Sequence, residues 1–250
     1  MDARSIELRR KIIDVVAESR CGHIPSAFSC LEIVRVLYDS ILQPGDKFIL
    51  SKGHGCLAQY VLLADKGYIR EEELLSFCKD GALLGGHPTA PSAEVATGSL
   101  GHGLSMGIGF ALAGHRTFVL MGDGECNEGS VWEAAMCAAK HNLNNLTVII
   151  DYNQRQAYGS AGGVLPLEPL AEKWYSFGFA PYRIHGHDNN ELGRIADNTY
   201  RAKPRAFICH TVKGKGIKLL EEDLRWHYKN NITDEEIESL YRGLDEKNLP

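Results

Sequence analysis

Two runs of consecutive apolar residues, Phe118-Val119-Leu120-Met121 and Val148-Ile149-Ile150, stand out from the mixed polar and apolar pattern around them. A strand covered on both faces needs no polar alternate positions, so these runs predict buried strands over 117–121 and 146–151. A shorter run at 48–50 reads the same way, and 182–185 and 206–210 are further candidate strands. Apolar residues at helical spacing predict helices over 6–19, from 29 or 30 to 38, and over 56–66, 71–79, 103–113, 131–141, 170–177, 190–200 and 234–244. Strands that alternate with helices imply an α/β fold: a doubly wound, mostly parallel sheet with helices on both faces. In such sheets ligands collect beyond the carboxyl ends of strands, at a switch point in strand order.

Residues 81–103 are rich in Gly, Pro, Ser and Thr and carry no element of their own. A loop of that length inside a compact domain is usually functional. No internal repeat or low-complexity linker breaks the chain, so the expected organisation is one domain over 1–250, with a C-terminal extension from about residue 217.

Length and composition fit that picture. At 250 residues, 44% hydrophobic and 24% charged, the chain can bury one large core. A formal net charge of −5 argues against nucleic acid or an acidic membrane as the main partner. No apolar run reaches membrane-spanning length and residues 1–10 lack a signal-peptide core, so the expected location is cytoplasmic. Seven cysteines, an odd number without a Cys-x-x-Cys pair, point away from disulfides and structural zinc.

The chemistry-bearing pattern lies at the ends of the two buried strands. Gly122-Asp123-Gly124-Glu125 follows the first, and Asn153, thirty positions after Asp123, follows the second. A carboxylate and a carboxamide on neighbouring strand tips are hard oxygen ligands, suited to a small divalent cation that also carries phosphate. Glycines at 122 and 124 let backbone amides approach phosphate oxygens. A plain strand-to-helix turn with an Asp cap is the alternative for the loop taken alone. Asn153 beyond the next strand favours the cation, and with it a diphosphate-bearing cofactor.

Here a resemblance becomes specific. Gly-Asp-Gly followed by about thirty residues and an Asn after an apolar strand resembles the signature of thiamine diphosphate enzymes. The string at 122–135 (GDGECNEGSVWEAA) resembles the transketolase family. So do Ser51-Lys52-Gly53-His54, Gly86-His87-Pro88, Thr97-Gly98-Ser99-Leu100-Gly101 and Lys213-Gly214-Lys215-Gly216, in the same order along residues 6–228. The resemblance covers the N-terminal, diphosphate-binding part of a transketolase, so the chain resembles the N-terminal subunit of a split transketolase.

That resemblance implies thiamine diphosphate and Mg2+ (or Ca2+ or Mn2+) as cofactors. Asp123 and Asn153 would bind the cation, with a backbone carbonyl near Arg155. His54 and the backbone of Gly122 and Gly124 would hold the diphosphate, and Gly98 and Leu100 would line the rings. His23, His54, His87 and His227 would cluster at the reacting carbon and the sugar hydroxyls, with His227 also touching the cofactor. Glu128 would lie at the subunit interface. Imidazoles suit the task, because moving a ketol fragment requires proton transfer near neutral pH.

The implied reaction is transfer of a two-carbon ketol unit from a ketose phosphate to an aldose acceptor. It would need a separate C-terminal subunit, with two copies of each subunit. Lys213 to Lys218 reads as a loop closing over the cofactor. Four features depart from the family pattern: Ile24-Pro25 after Gly22-His23, His102 where Gln is frequent, His185 where Asp is common, and the segment 154–159 after Asn153. Two other readings stay open: the α subunit of another thiamine diphosphate enzyme (2-oxo acid dehydrogenase or deoxyxylulose phosphate synthase type), and a non-catalytic binding module that kept the fold.

Overall fold

In a computed structural model, which describes residues 1–197 and 202–246, the apolar runs form five strands. These are β1 (Lys47–Leu50), β2 (Thr117–Gly122), β3 (Leu146–Tyr152), β4 (Ala180–His185) and β5 (Arg205–His210). The helices, in chain order, are α1 (Ala3–Ser19), α2 (Ile24–Val36), α3 (Cys56–Asp65), α4 (Glu71–Leu75), α5 (Gly103–Leu112), α6 (Gly129–Lys140), α7 (Ala161–Val164), α8 (Leu170–Ser176), α9 (Asn189–Gly193), α10 (Lys218–Glu222) and α11 (Asp234–Glu246). Every strand pairing is parallel, in the order β1-β2-β3-β5-β4. The α/β sheet class read from the sequence is thus the fold observed.

The chain divides into two compact units. One comprises residues 36–53 and 97–211 and contains the whole sheet. Every residue of β3 is buried, and in β2 only the terminal Gly122 is partly exposed. This is why neither strand shows polar alternation. Helix α5 packs on β1, β2 and β3, and small residues allow the close approach. A Cβ on Gly107 would come within 2.5 Å of a Val119 methyl.

The other unit comprises residues 1–35, 54–96 and 212–250 and is helical. Helix α1 packs against α3, α4 and α11. Its Arg9, fully buried, ion-pairs with Glu32 on α2 at 2.6 Å and donates to the carbonyls of Phe28 (3.0 Å) and Lys215 (2.8 Å). Helix α11 starts with a reciprocal cap, Glu236 N–H to Thr233 Oγ1 (3.3 Å) and Thr233 N–H to Glu236 Oε2 (3.1 Å), and buries Ile237, Leu240 and Leu244.

Several boundaries differ from expectation. Helix α2 begins at Ile24, five residues before Ser29. Proline is tolerated in a first helical turn, where its missing N–H has no partner to lose. Pro25 therefore starts this helix, and the His23 carbonyl accepts the amides of Ser26 and Ala27. Helix α4 stops at Leu75 rather than 79, because Ser76 Oγ turns back to the Glu73 carbonyl (2.7 Å) and Cys78 takes φ +55° with its N–H on Leu84 O. The helix expected over 190–200 is observed as α9 and a 3-10 turn to Ala196; its last three positions, 198–200, lie outside the described residues. Among the described residues, no helix is long and apolar enough to cross a membrane.

Candidate active site

Parallel pairing of β2 with β3 sets Gly122 beside Asp151, so the residues just past both strands emerge at one edge. Asp123 N–H reaches the Asp151 carbonyl at 3.3 Å. The Asp123 carboxylate, 3% exposed, accepts the amides of Gly124 (2.6 Å) and Gln154 (2.5 Å). Asn153 lies next to Gln154, its Oδ1 accepting Arg155 N–H (2.9 Å) and its Nδ2 donating to Asp151 (3.3 Å). Arg155 begins a tight turn closed by an antiparallel bridge to Ser160. The structure thus brings Asp123, Asn153 and Arg155 into one short network. This edge lies between sequential neighbours, not at a reversal of strand order; the order first skips a strand beyond β3, where β5 pairs in place of β4.

Beneath these tips, Lys52 and Asp151 form a buried ion pair, and Thr211 Oγ1 donates to the same carboxylate. Burial first, and then the Asp151 charge, push the Asp123 carboxyl up to about 6. A buried carboxylate held ionised by two amides is undercompensated, and a divalent cation supplies the missing charge. Among the described residues no three His, Cys, Asp or Glu side chains are grouped so that they could hold a metal ion by themselves. The donor set is therefore two side-chain oxygens plus backbone, which suits a magnesium ion that takes its other ligands from phosphate and water. The residues fit that ion and a diphosphate.

The raised Asp123 value has a measurable consequence. A carboxyl at 3.8 when unfolded and about 6 when folded favours folding fully below 3.8, and that contribution is lost as pH rises through about 6. The difference is worth roughly 3 kcal/mol. Magnesium with pyrophosphate removes this penalty, so the rise in melting temperature they cause is expected to be larger at about pH 7.5 than at about pH 5. Thermal unfolding at both pH values checks this, and equal shifts would contradict it.

The loop 97–101 runs along the end of β1. Thr97 Oγ1 donates to the Leu50 carbonyl (2.6 Å), and a Cβ on Gly53 would meet Gly98 N at 3.0 Å. Gly98 and Leu100 are half-buried there. Gly101, at φ +87°, has no room for a side chain, since a Cβ would sit 2.8 Å from the Cβ of Glu128. Glu128 itself is exposed at the start of α6. Gln156 lies across Gly124 and donates to Asn127 Oδ1 at 3.0 Å. Cys126 is buried and its thiol is pushed well above its ordinary value, which leaves it unreactive.

In the helical unit, His23, His54, His87 and His227 come together although they are far apart in sequence. The His23 ring centroid lies 5.6 Å from His54, 6.4 Å from His87 and 5.5 Å from His227, and His54 lies 6.1 Å from His227. A two-residue antiparallel bridge explains the pairing of His23 with His227: Gly22 and Lys229 exchange both backbone hydrogen bonds, at 3.0 and 3.3 Å. Tyr228, carried on the same segment, lies against His23 with its ring tilted by 38° and the centroids 4.5 Å apart. His54 stands in the 3-10 turn before α3. His87 is fixed through its backbone, because the Tyr60 hydroxyl donates to the His87 carbonyl (2.6 Å) and accepts Thr89 N–H (3.0 Å).

Three further side chains have no individual role assigned from the sequence, where Lys213 counts only as one end of a closing loop. Lys213, buried, lies 2.7 Å from His227 Nδ1; an ammonium only donates, so the His227 proton sits on Nε2. Its loop is anchored by Gly214 N–H on the Pro25 carbonyl (3.0 Å). The second is Tyr60. The third is Glu125, one residue beyond the recognised Gly-Asp-Gly. An acid within a glycine turn is the signal available for Glu125, and a lysine just before a Gly-Lys-Gly run for Lys213; Tyr60 gives none.

Comparison with known proteins bears on the family and the fold. Residues 2–247 match the family model described as transketolase, thiamine diphosphate binding domain. An apulose-4-phosphate transketolase subunit from Phocaeicola vulgatus is 37% identical, over 99% of this chain and 94% of its own length. The 6-deoxy-6-sulfo-D-fructose transketolase subunit SqwG of a Clostridium species is 35% identical, over 88% of this chain and 87% of its own. The crystal structure of transketolase from Campylobacter jejuni superposes with a TM-score of 0.87 at 26% identity; it is covered over 44% of its length by the whole of this chain.

Proposed function

This chain belongs to the transketolase family, as a thiamine diphosphate-binding domain, and from that premise we propose that it is the N-terminal subunit of a two-part transketolase. Such an enzyme is a transferase that moves a two-carbon ketol unit from a ketose phosphate to an aldose acceptor. The observation that carries the reading is the junction of Asp123 and Asn153 through Gln154 N–H at the tips of β2 and β3. Asp123, Asn153 and the Arg155 backbone would hold Mg2+, and Gly122, Gly124 and His54 the diphosphate. Gly98 and Leu100 would line the rings.

Cleavage of the carbon–carbon bond and storage of the electron pair are chemistry that the bound cofactor supplies. The chain's own residues manage protons and orientation. His23, at the centre of the imidazole cluster, can take or return a proton on a substrate hydroxyl. His227, with its proton on Nε2 and Lys213 on Nδ1, is a donor in a set orientation. His87 reaches the cluster from a loop whose backbone Tyr60 holds in place.

A C-terminal subunit supplies the rest of the enzyme in this reading, and Glu128 lies at the interface between copies, with two of each subunit. Residues 1–250 act as one diphosphate-binding domain, extended from about residue 217. The setting is the cytoplasm, where free cysteines such as the exposed Cys78 stay reduced. Two relatives named for unusual sugars make specialised ketoses sensible donors to assay beside common ones.

The test is steady-state ketol transfer by the chain alone and with its C-terminal partner. Activity is expected only in the mixture, at least about 100-fold above either subunit. Robust transfer by the isolated chain would refute the two-part enzyme. Decarboxylation of pyruvate would favour the dehydrogenase or synthase reading, and no cation-dependent cofactor binding would favour a binding module.

A further inference from the structure

Glu125 is a carboxylate 1% exposed, and the reaction outlined above gives it no part. Its oxygens face donors from three separate segments. Oε1 accepts the Ser51 hydroxyl and Gly101 N–H (2.9 Å), and Oε2 accepts Gly122 N–H (3.2 Å). Ser51 follows β1, Gly101 ends the loop 97–101, and Gly122 ends β2. All three groups donate and an ionised carboxylate only accepts, so the match is complete. The Gly101 peptide is held on its other side as well, where Ser130 Oγ donates to its carbonyl at 3.0 Å. A Cβ on Gly103 would collide with Ser51, so the segment has no slack to drift toward β1.

We propose that Glu125 is a positioning residue: it clamps the ring-lining loop 97–101 to the diphosphate turn at Gly122, so that the two ends of thiamine diphosphate meet preset contacts. This rests on the proposed function for the identity of the ligand. Without the clamp the two segments move independently, and the cofactor has to order them on binding. Affinity then falls while the reacting groups, once assembled, stay the same. Glutamine tests the charge pattern without loss of volume, because its carboxamide still accepts at one end but turns an NH2 toward a donor at the other.

The experiment compares wild type, Glu125→Gln and Glu125→Ala as full chains and with the C-terminal subunit. Amide exchange without cofactor is expected to accelerate about tenfold or more over 97–103 and 122–124 in Glu125→Ala, with 118–120 and 147–150 unchanged. In the complex, the thiamine diphosphate concentration for half-maximal activity should rise about 10–100-fold in Glu125→Ala, and less in Glu125→Gln. Saturated kcat should stay within about threefold of wild type. Exchange that accelerates equally in the strands, or an unchanged cofactor requirement, overturns the positioning role. A wild-type complex that binds no thiamine diphosphate overturns the proposed function and this role together. A variant that binds like a binding-competent wild type overturns only the role of Glu125.

Discussion

Asp123→Ala is expected to abolish magnesium-dependent binding of thiamine diphosphate, with a loss of affinity of at least about 100-fold, or roughly 3 kcal/mol. Asp123 is the one carboxylate in the network at the tips of β2 and β3 that faces only backbone amides, whereas Asp151 below it is neutralised by Lys52. A cation placed there loses its only full negative charge from the protein when Asp123 goes. Asp123→Asn keeps an oxygen but not the charge, and should fall between the two. Calorimetry with saturating magnesium measures the affinities, and circular dichroism checks the fold. Without cation, at about pH 7.5, the Asn variant should melt close to wild type, because removing an undercompensated buried charge offsets the poorer amide contacts. An alanine variant that binds cofactor as tightly as wild type would remove Asp123 from the site.

His23→Ala should lower ketol transfer in the complex by about 10²–10⁴-fold while leaving cofactor affinity within about threefold. His23 is the hub of the imidazole cluster, among the described residues the one ring adjacent to each of His54, His87 and His227 as well as Tyr228. Its backbone is set by the bridge between Gly22 and Lys229 and by the first turn of α2, neither of which uses the imidazole. Truncation therefore removes a proton carrier and leaves the frame. Single-turnover rates against cofactor titration separate the two effects. A variant with full transfer activity would show the cluster to be structural.

Which parts are legible in the sequence follows from how local each signal is. The strands β2 and β3 can be read nearly to the residue, since burial on both faces forces an unbroken apolar run. The start of α2 is placed late because Pro25 also suits the turn before it, although a proline in a first turn marks a helix beginning. Helix α4 reads long because nothing local announces that Cys78 turns left-handed to meet the Leu84 carbonyl. Glu125 sits in plain view beside Asp123, yet its three donors come from residues 51, 101 and 122.

The order of apolar runs and the turn at Gly122 are enough, from the sequence alone, to specify a parallel α/β sheet and the oxygen-bearing residues at two of its strand ends. Each of those features depends on neighbours a few positions apart. The pairing order β1-β2-β3-β5-β4 and the clamp made by Glu125 were decided only by the tertiary structure, and the gathering of histidines 23, 54, 87 and 227, expected from the family resemblance, follows from no local pattern. They depend on which distant segments exchange backbone hydrogen bonds and which buried charges find donors, and that is settled when the chain packs.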